Sequence, residues 1–176
     1  MSTPVLSVQE LSVTLRLGRQ MLTVVDGVSF DLRAGEVLAL VGESGCGKTK
    51  TAEALLGLVP PGLGSVRAKR IDLGGKDLAV LGEPAMRRIR GREISMVFQE
   101  PLTALDPVFR AGQQLASVLR RHLRCGRAEA RAASLDMLRR VGIADPGRVL
   151  DSYPHELSGG MRQRVIIATA MACRPR

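Results

Sequence analysis

A chain of 176 residues, 45% hydrophobic and 24% charged, is long enough to bury one sizeable core, and its longest strongly apolar stretch, Val165 to Cys173, is too short to span a bilayer. Three cysteines, Cys46, Cys125 and Cys173, show no CxxC spacing, which argues against a disulfide framework or a cysteine zinc site, and Met1-Ser2-Thr3-Pro4 lacks the basic start of a signal peptide. The net charge of +9 is mostly arginine, but aromatics make up only 2% of the chain, so no basic run is interleaved with rings as a single-strand nucleic-acid binder needs. Arg87-Arg88, Arg120-Arg121 and Arg139-Arg140 read instead as solvated helix faces, and no nucleic-acid partner is expected.

Taken in order, Val5 to Leu17 alternates through Val8, Leu11, Val13 and Leu15 and predicts a strand. Gly18-Arg19-Gln20 turns it, and Leu22 to Leu32 returns as its antiparallel partner. The apolar run Val37 to Val41 predicts a short buried strand. Gly42-Glu43-Ser44-Gly45-Cys46-Gly47-Lys48-Thr49 follows, and then Ala52, Leu55, Leu56 and Leu58 are spaced for one helix face. A strand, a glycine-rich turn and a helix N-terminus together make the context of a phosphate-binding P-loop. Glycines let successive N–H groups point inward as an anion nest, and the helix start adds partial positive charge. Lys48 would then reach the β- and γ-phosphates and the Thr49 hydroxyl would ligate Mg2+, while Lys50 adds a cation in the first helical turn that faces either phosphate or solvent.

Pro60-Pro61-Gly62 ends that helix. Gly64 to Leu73 predicts another strand, Pro84 to Arg90 part of a basic helix, and Glu93 to Phe98 a second core strand that delivers Gln99 to the breaker-rich loop Glu100 to Pro107. Between about residues 108 and 142 the pattern is helical, with stripes at Leu115, Val118, Leu119, His122, Leu123 and at Leu135, Leu138, Val141. This predicts a helical lobe inserted into an α/β body. Gly142, Pro146 and Gly147 close the lobe. Met161, Val165, Ala168 and Ala172 then share a helical face, which puts Ser158 at the N-cap and Gly159 and Gly160 in the first turn. A serine cap with two glycines is a phosphate-sized anion site or, more simply, a plain helix cap.

The order GESGCGKT, VFQEP and LSGGMRQR resembles the nucleotide-binding subunit of an ABC transporter. The wording MVFQEPLTALDPV and SYPHELSGGMRQR is similar to the subfamily that powers dipeptide, oligopeptide and nickel importers. The resemblance covers the chain from about Leu6 onward. It implies an α/β P-loop NTPase core with an N-terminal antiparallel β element and an inserted α-helical lobe, incomplete at its C-terminal side. Residues 1–176 would form one nucleotide-binding domain, with 1–99 the β element plus P-loop core, 100–157 the helical lobe and 158–176 the signature helix.

By the same resemblance ATP and Mg2+ are the cofactors. The Walker A residues Gly42, Glu43, Ser44, Gly45, Cys46, Gly47, Lys48 and Thr49 would hold the phosphates. Gln99 would contact the metal and the attacking water, and Ser158, Gly159 and Gly160 would grip the γ-phosphate of ATP held by a second ABC ATPase subunit, identical or paralogous. Integral membrane permease subunits would hold the protein at the cytoplasmic face of the inner membrane. The Walker B aspartate, the glutamate that follows it and the switch histidine lie downstream of the signature in the family, and His122 and His155 both precede it. Residues 1–176 alone are therefore expected to be catalytically inactive. The strands that flank the P-loop strand also come from downstream, so Val37 to Val41 is expected to lack its usual neighbours. The family's adenine-stacking ring is missing from the first β element, which offers Leu15, Leu17, Met21 and Leu22. The few rings available are Phe30, Phe98, Phe109 and Tyr153. Other readings are a soluble ABC-type ATPase and a non-catalytic or defunct nucleotide-binding product.

Overall fold

The computed structural model describes residues 3–98 and 104–176. Its chain falls into two units, residues 1–87 with Arg176 and residues 88–175.

The first unit is organised on a long strand, β1 (Leu6–Leu17), hairpinned to β2 (Gln20–Leu32). Both strands and their antiparallel pairing follow the sequence expectation. The apolar positions of β1 are Leu6 and Val8, then Leu11 and Val13, a spacing that breaks simple alternation by one residue. A bulge absorbs the extra residue: the register with β2 shifts between Val8 and Leu11, and Glu10 takes a positive φ of 52°. All four side chains therefore stay on the buried face.

The predicted strand Gly64 to Leu73 is two strands. β3 (Gly64–Arg67) pairs with the second half of β1, and β4 (Arg70–Leu73) pairs with the first half, both antiparallel. The break falls at Ala68-Lys69, beside the bulge, where the Lys69 N–H still donates to the Gln9 carbonyl at 2.9 Å. A short β5 (Lys76–Asp77) completes the sheet, in the order β2-β1-β4-β5 with β3 also on β1. Helix α1 (Lys48–Leu55) lies on β1 and β2. It buries Thr51, Ala54, Leu55 and Leu56.

Three sequence expectations are corrected here. Val37 to Val41 is not a strand, and Val37 and Val41 are 93% and 89% exposed. A strand exists only through its ladder, and among the described residues no other segment pairs with this one. Glu93 to Phe98 likewise forms no strand beyond an isolated bridge between Arg90 and Ile94. The P-loop helix stops at Leu55, so Leu58 lies past its end and is 37% exposed. Helix α2 (Glu83–Ile89) matches the basic helix expected there.

The second unit is helical: α3 (Ala111–Leu123), α4 (Arg127–Arg140), α5 (Pro146–Asp151) and α6 (Gly159–Met171). Leu115, Leu119, Leu138, Val149, Val165 and Ala168 form its dry centre. Of the predicted α3 stripe, Leu123 is half exposed because the helix ends there. Gly142, at φ 80°, ends α4 in a Schellman turn. Its N–H bonds the Arg139 carbonyl at 2.9 Å, and the Ile143 N–H bonds the Leu138 carbonyl at 3.0 Å, with both Ile143 and Leu138 buried. Leu138 has no exposed surface, so Leu138→Ala leaves a cavity in the centre of the bundle. We expect it to lower stability by about 2–5 kcal/mol, read as a lower denaturant midpoint. An unchanged midpoint would place Leu138 outside the core.

Candidate functional site

The glycine-rich turn enters α1 with the backbone that an anion nest requires. Gly45 and Gly47 are both left-handed, at φ 84° and 95°, and Gly47 is the N-cap of α1. The turn is pressed onto β2: a Cβ on Gly47 would lie 2.3 Å from the Val24 carbonyl oxygen and 3.1 Å from Val25 Cγ2. Glycine is thus required there twice, by conformation and by space. The Cys46 N–H donates to the Glu43 carbonyl at 3.3 Å, closing the turn.

The first helical bond runs from the Thr51 N–H to the Gly47 carbonyl at 2.8 Å, and the Thr51 hydroxyl donates to the same oxygen at 3.1 Å. Ahead of it, the N–H groups of Gly45, Gly47, Lys48 and Thr49 donate to no acceptor among the described residues. No side chain caps α1 and no acidic residue occupies its first turn, so the positive end of the helix is uncompensated.

Lys48 folds back over this nest. Its ammonium donates to the Gly42 and Glu43 carbonyls at 2.8 and 2.7 Å and stands 3.4 Å from Cys46 Sγ. Neutral carbonyls are weaker partners than phosphate oxygens, so the ammonium can exchange them for a polyphosphate without moving away from the loop. Glu43, Ser44, Cys46 and Thr49 are exposed at the same surface. Lys50 behaves differently, its ammonium pairing with the Glu53 carboxylate at 2.6 Å along the side of the helix. The donor set of loop N–H groups, an ammonium and an exposed Thr49 hydroxyl fits a magnesium nucleotide.

The second predicted anion site starts α6. Ser158 is the N-cap, and its hydroxyl oxygen accepts from the Met161 N–H at 3.3 Å. Gly159 and Gly160 have ordinary helical φ, and a Cβ on either would meet nothing within 4 Å. Neither conformation nor local packing therefore requires glycine at these two positions. Two residues that local sequence reading does not single out support this helix start. Arg162, half-buried, donates from Nε to the Leu157 carbonyl at 2.9 Å, and Arg164 donates to the Gly142 carbonyl. They were missed because an arginine near a helix start reads as surface until its acceptor is placed. A cavity of about 440 Å3 adjoins Ser158 and Gly160, with Asp145, Arg148 and Arg164 on its wall.

Gln99 lies outside the described residues, as do Glu100 to Thr103 of its loop. The P-loop belongs to the first unit and Ser158 to the second. Of the four rings, Phe30 is half-buried on β2, Phe98 and Phe109 are 44% and 51% exposed, and Tyr153 is committed within its own unit. The Tyr153 ring stacks on His155 at 5.6 Å and carries the Arg110 guanidinium 5.5 Å from its centroid.

The left-handed glycine turn that opens α1 and the serine cap that opens α6 stand in a chain whose family the comparisons identify. The model of the ABC transporter family matches residues 25–176, and the chain belongs to that family. It is 50% identical over 171 residues to the dipeptide transport ATP-binding protein DppD of Bacillus subtilis, covering 97% of this chain and 51% of that protein. It is 40% identical over 174 residues to the oligopeptide transport ATP-binding protein OppD of the same organism, covering 99% and 49%. The peptidoglycan transport ATP-binding protein YejF of Agrobacterium fabrum is 49% identical over 173 residues, 98% of this chain and 32% of that protein. The chain thus spans about half or less of the length of these relatives. Among solved structures, the dimeric MJ0796, a bacterial ABC transporter cassette, superposes with a TM-score of 0.82 at 25% identity, covering 97% of this chain and 70% of that one. A second MJ0796 dimer, in a post-hydrolysis state bound to ADP and Pi, matches equally well. The fold is therefore that of an ABC ATPase cassette, as the sequence motifs imply.

Proposed function

We propose that this chain is the ATP-binding part of a peptide-importing ABC transporter. In this reading it holds ATP with Mg2+ at Gly42 to Thr49 and presents Ser158, Gly159 and Gly160 to the nucleotide on a second ATPase subunit, identical or paralogous. The observation that carries it is a loop whose N–H groups find no acceptor among the described residues and onto whose carbonyls the Lys48 ammonium folds back. Lys48 and the positive end of α1 hold the terminal phosphates, and positioning with charge stabilisation is most of what phosphoryl transfer asks of a protein. Bound Mg2+ supplies charge neutralisation across the phosphates, with the Thr49 hydroxyl and the Gln99 side chain assigned to it.

The second half of the reading rests on Gly159 and Gly160. Glycine within a helix costs about 0.5–1 kcal/mol relative to alanine, and here that cost has no local return. Bare backbone at a helix start is what a phosphate approaching from another subunit needs. Residues 1–99 then carry the nucleotide, 100–157 form the lobe that meets the permease subunits, and 158–176 present the signature. The work is done at the cytoplasmic face of the plasma membrane, where the permease holds the subunit. Relatives named for dipeptide and oligopeptide transport favour a peptide cargo over nickel.

The test is sedimentation of the full-length protein with and without ATP and Mg2+. We expect ATP to drive dimer formation, and Gly160→Glu, which sets a carboxylate against the approaching γ-phosphate, to abolish the dimer while leaving ATP binding intact. A dimer that forms equally well in the variant would remove Gly160 from the interface.

A further inference from the structure

Within residues 88–175, helices α3, α4 and α5 enclose a cleft of about 640 Å3 whose wall carries Arg110, Arg120, Arg127 and Arg131. The cleft is roomy because its floor is small. Ala116 lines it, and Gly112 packs so close to α5 that a Cβ there would lie 2.7 Å from the Leu150 carbonyl oxygen.

One carboxylate faces these four guanidiniums, and it is already engaged. Asp151 accepts a two-pronged pair from Arg131 at 3.1 and 3.0 Å, and these hydrogen bonds hold its carboxyl below the usual carboxylate range. Arg110 lies over the Tyr153 ring. Arg120 and Arg127 have no ion-pair partner among the described residues. Four arginines less one aspartate leave a wall of three net positive charges around one concavity. Surface cations kept only for solubility gain nothing by converging, because they repel one another.

We propose that this cleft is a second anion site, independent of the P-loop, that takes a small ligand bearing a multiply charged phosphate group. Guanidinium forks match phosphate oxygens in pairs, and the volume falls in the range of about 300–1,000 Å3 usual for small-ligand sites. The wall is built from helices and offers no open strand edge for an extended acidic peptide to pair with. The phosphate group belongs either to a free polyphosphate compound or to an anionic lipid headgroup.

The full-length protein carrying Lys48→Ala, which weakens the P-loop, is titrated calorimetrically with inorganic tripolyphosphate. It is also sedimented with phosphatidylcholine vesicles with and without phosphatidic acid, whose terminal phosphate can carry two negative charges. Arg120→Gln with Arg127→Gln is the site variant, and Arg16→Gln with Arg19→Gln is the control of equal charge change, all four residues being exposed. We expect the site pair to weaken binding at least tenfold, about the loss for two charge-assisted contacts, and the control pair to change it less than about twofold. A loss confined to tripolyphosphate identifies the free compound, and a loss that includes the phosphatidic acid vesicles identifies the headgroup; either supports the site. Equal losses in the two pairs mean diffuse charge only, and absence of binding to both probes means no site. Either result overturns the proposal.

Discussion

Lys48→Ala in the full-length protein weakens ATP binding by about 30- to 1,000-fold, the equivalent of losing roughly 2–4 kcal/mol of charge-assisted hydrogen bonding. The ammonium now rests 2.8 and 2.7 Å from the Gly42 and Glu43 carbonyls of the same loop. Its removal takes the ammonium from the loop while leaving backbone and helix intact. Transport that depends on ATP is expected to stop. Lys50→Ala is the informative comparison, since Lys50 is two residues away and carries the same charge. It is paired with Glu53 at 2.6 Å, so its loss should change ATP affinity less than about threefold, as expected for a partly exposed pair. Fluorescent-nucleotide titration of both variants checks the contrast. Similar losses from the two lysines would mean that net charge, rather than the placement of Lys48, attracts the nucleotide.

Gly47→Ala tests the loop backbone instead of its cation. At φ 95° an L-residue is strained by about 1–3 kcal/mol, and the new methyl would fall 2.3 Å from a backbone oxygen of β2 that cannot rotate away. The loop must then lift off the sheet or Gly47 must abandon its left-handed conformation, and in either case the α1 N–H groups no longer converge. We expect a fall in Tm of several degrees, by roughly 2–4 °C for each kcal/mol lost, together with at least a tenfold loss of ATP affinity. Gly45→Ala separates the two causes: φ there is 84°, but a Cβ would meet nothing within 4 Å, so strain acts without collision and the loss should be smaller. If the two variants behaved alike, collision with Val24 would have no part in the requirement for glycine.

Much of this protein could be read locally. The β1–β2 hairpin follows from alternation and a glycine turn, the loop from its glycines and lysine, and the α6 start from a serine cap before a helical stripe. Each of these is settled by neighbours within a few residues, through φ preferences, capping and periodicity. Long-range pairing decided the rest. The apolar run Val37 to Val41 has the composition of a core strand, yet it stays unpaired because strand formation needs a second segment at hydrogen-bonding distance and the chain order does not name one. Conversely, the single strand predicted over Gly64 to Leu73 became two because β1 bulges at Glu10, a demand set by a partner more than fifty residues earlier. The collision that fixes Gly47, the Arg162 brace on Leu157 and the gathering of four arginines round one cleft are of the same kind. The sequence by itself determined where the glycine turn opens one helix and where Ser158 caps another; tertiary structure decided which strands pair and which charges meet, because those free energies depend on segments brought together only by the fold.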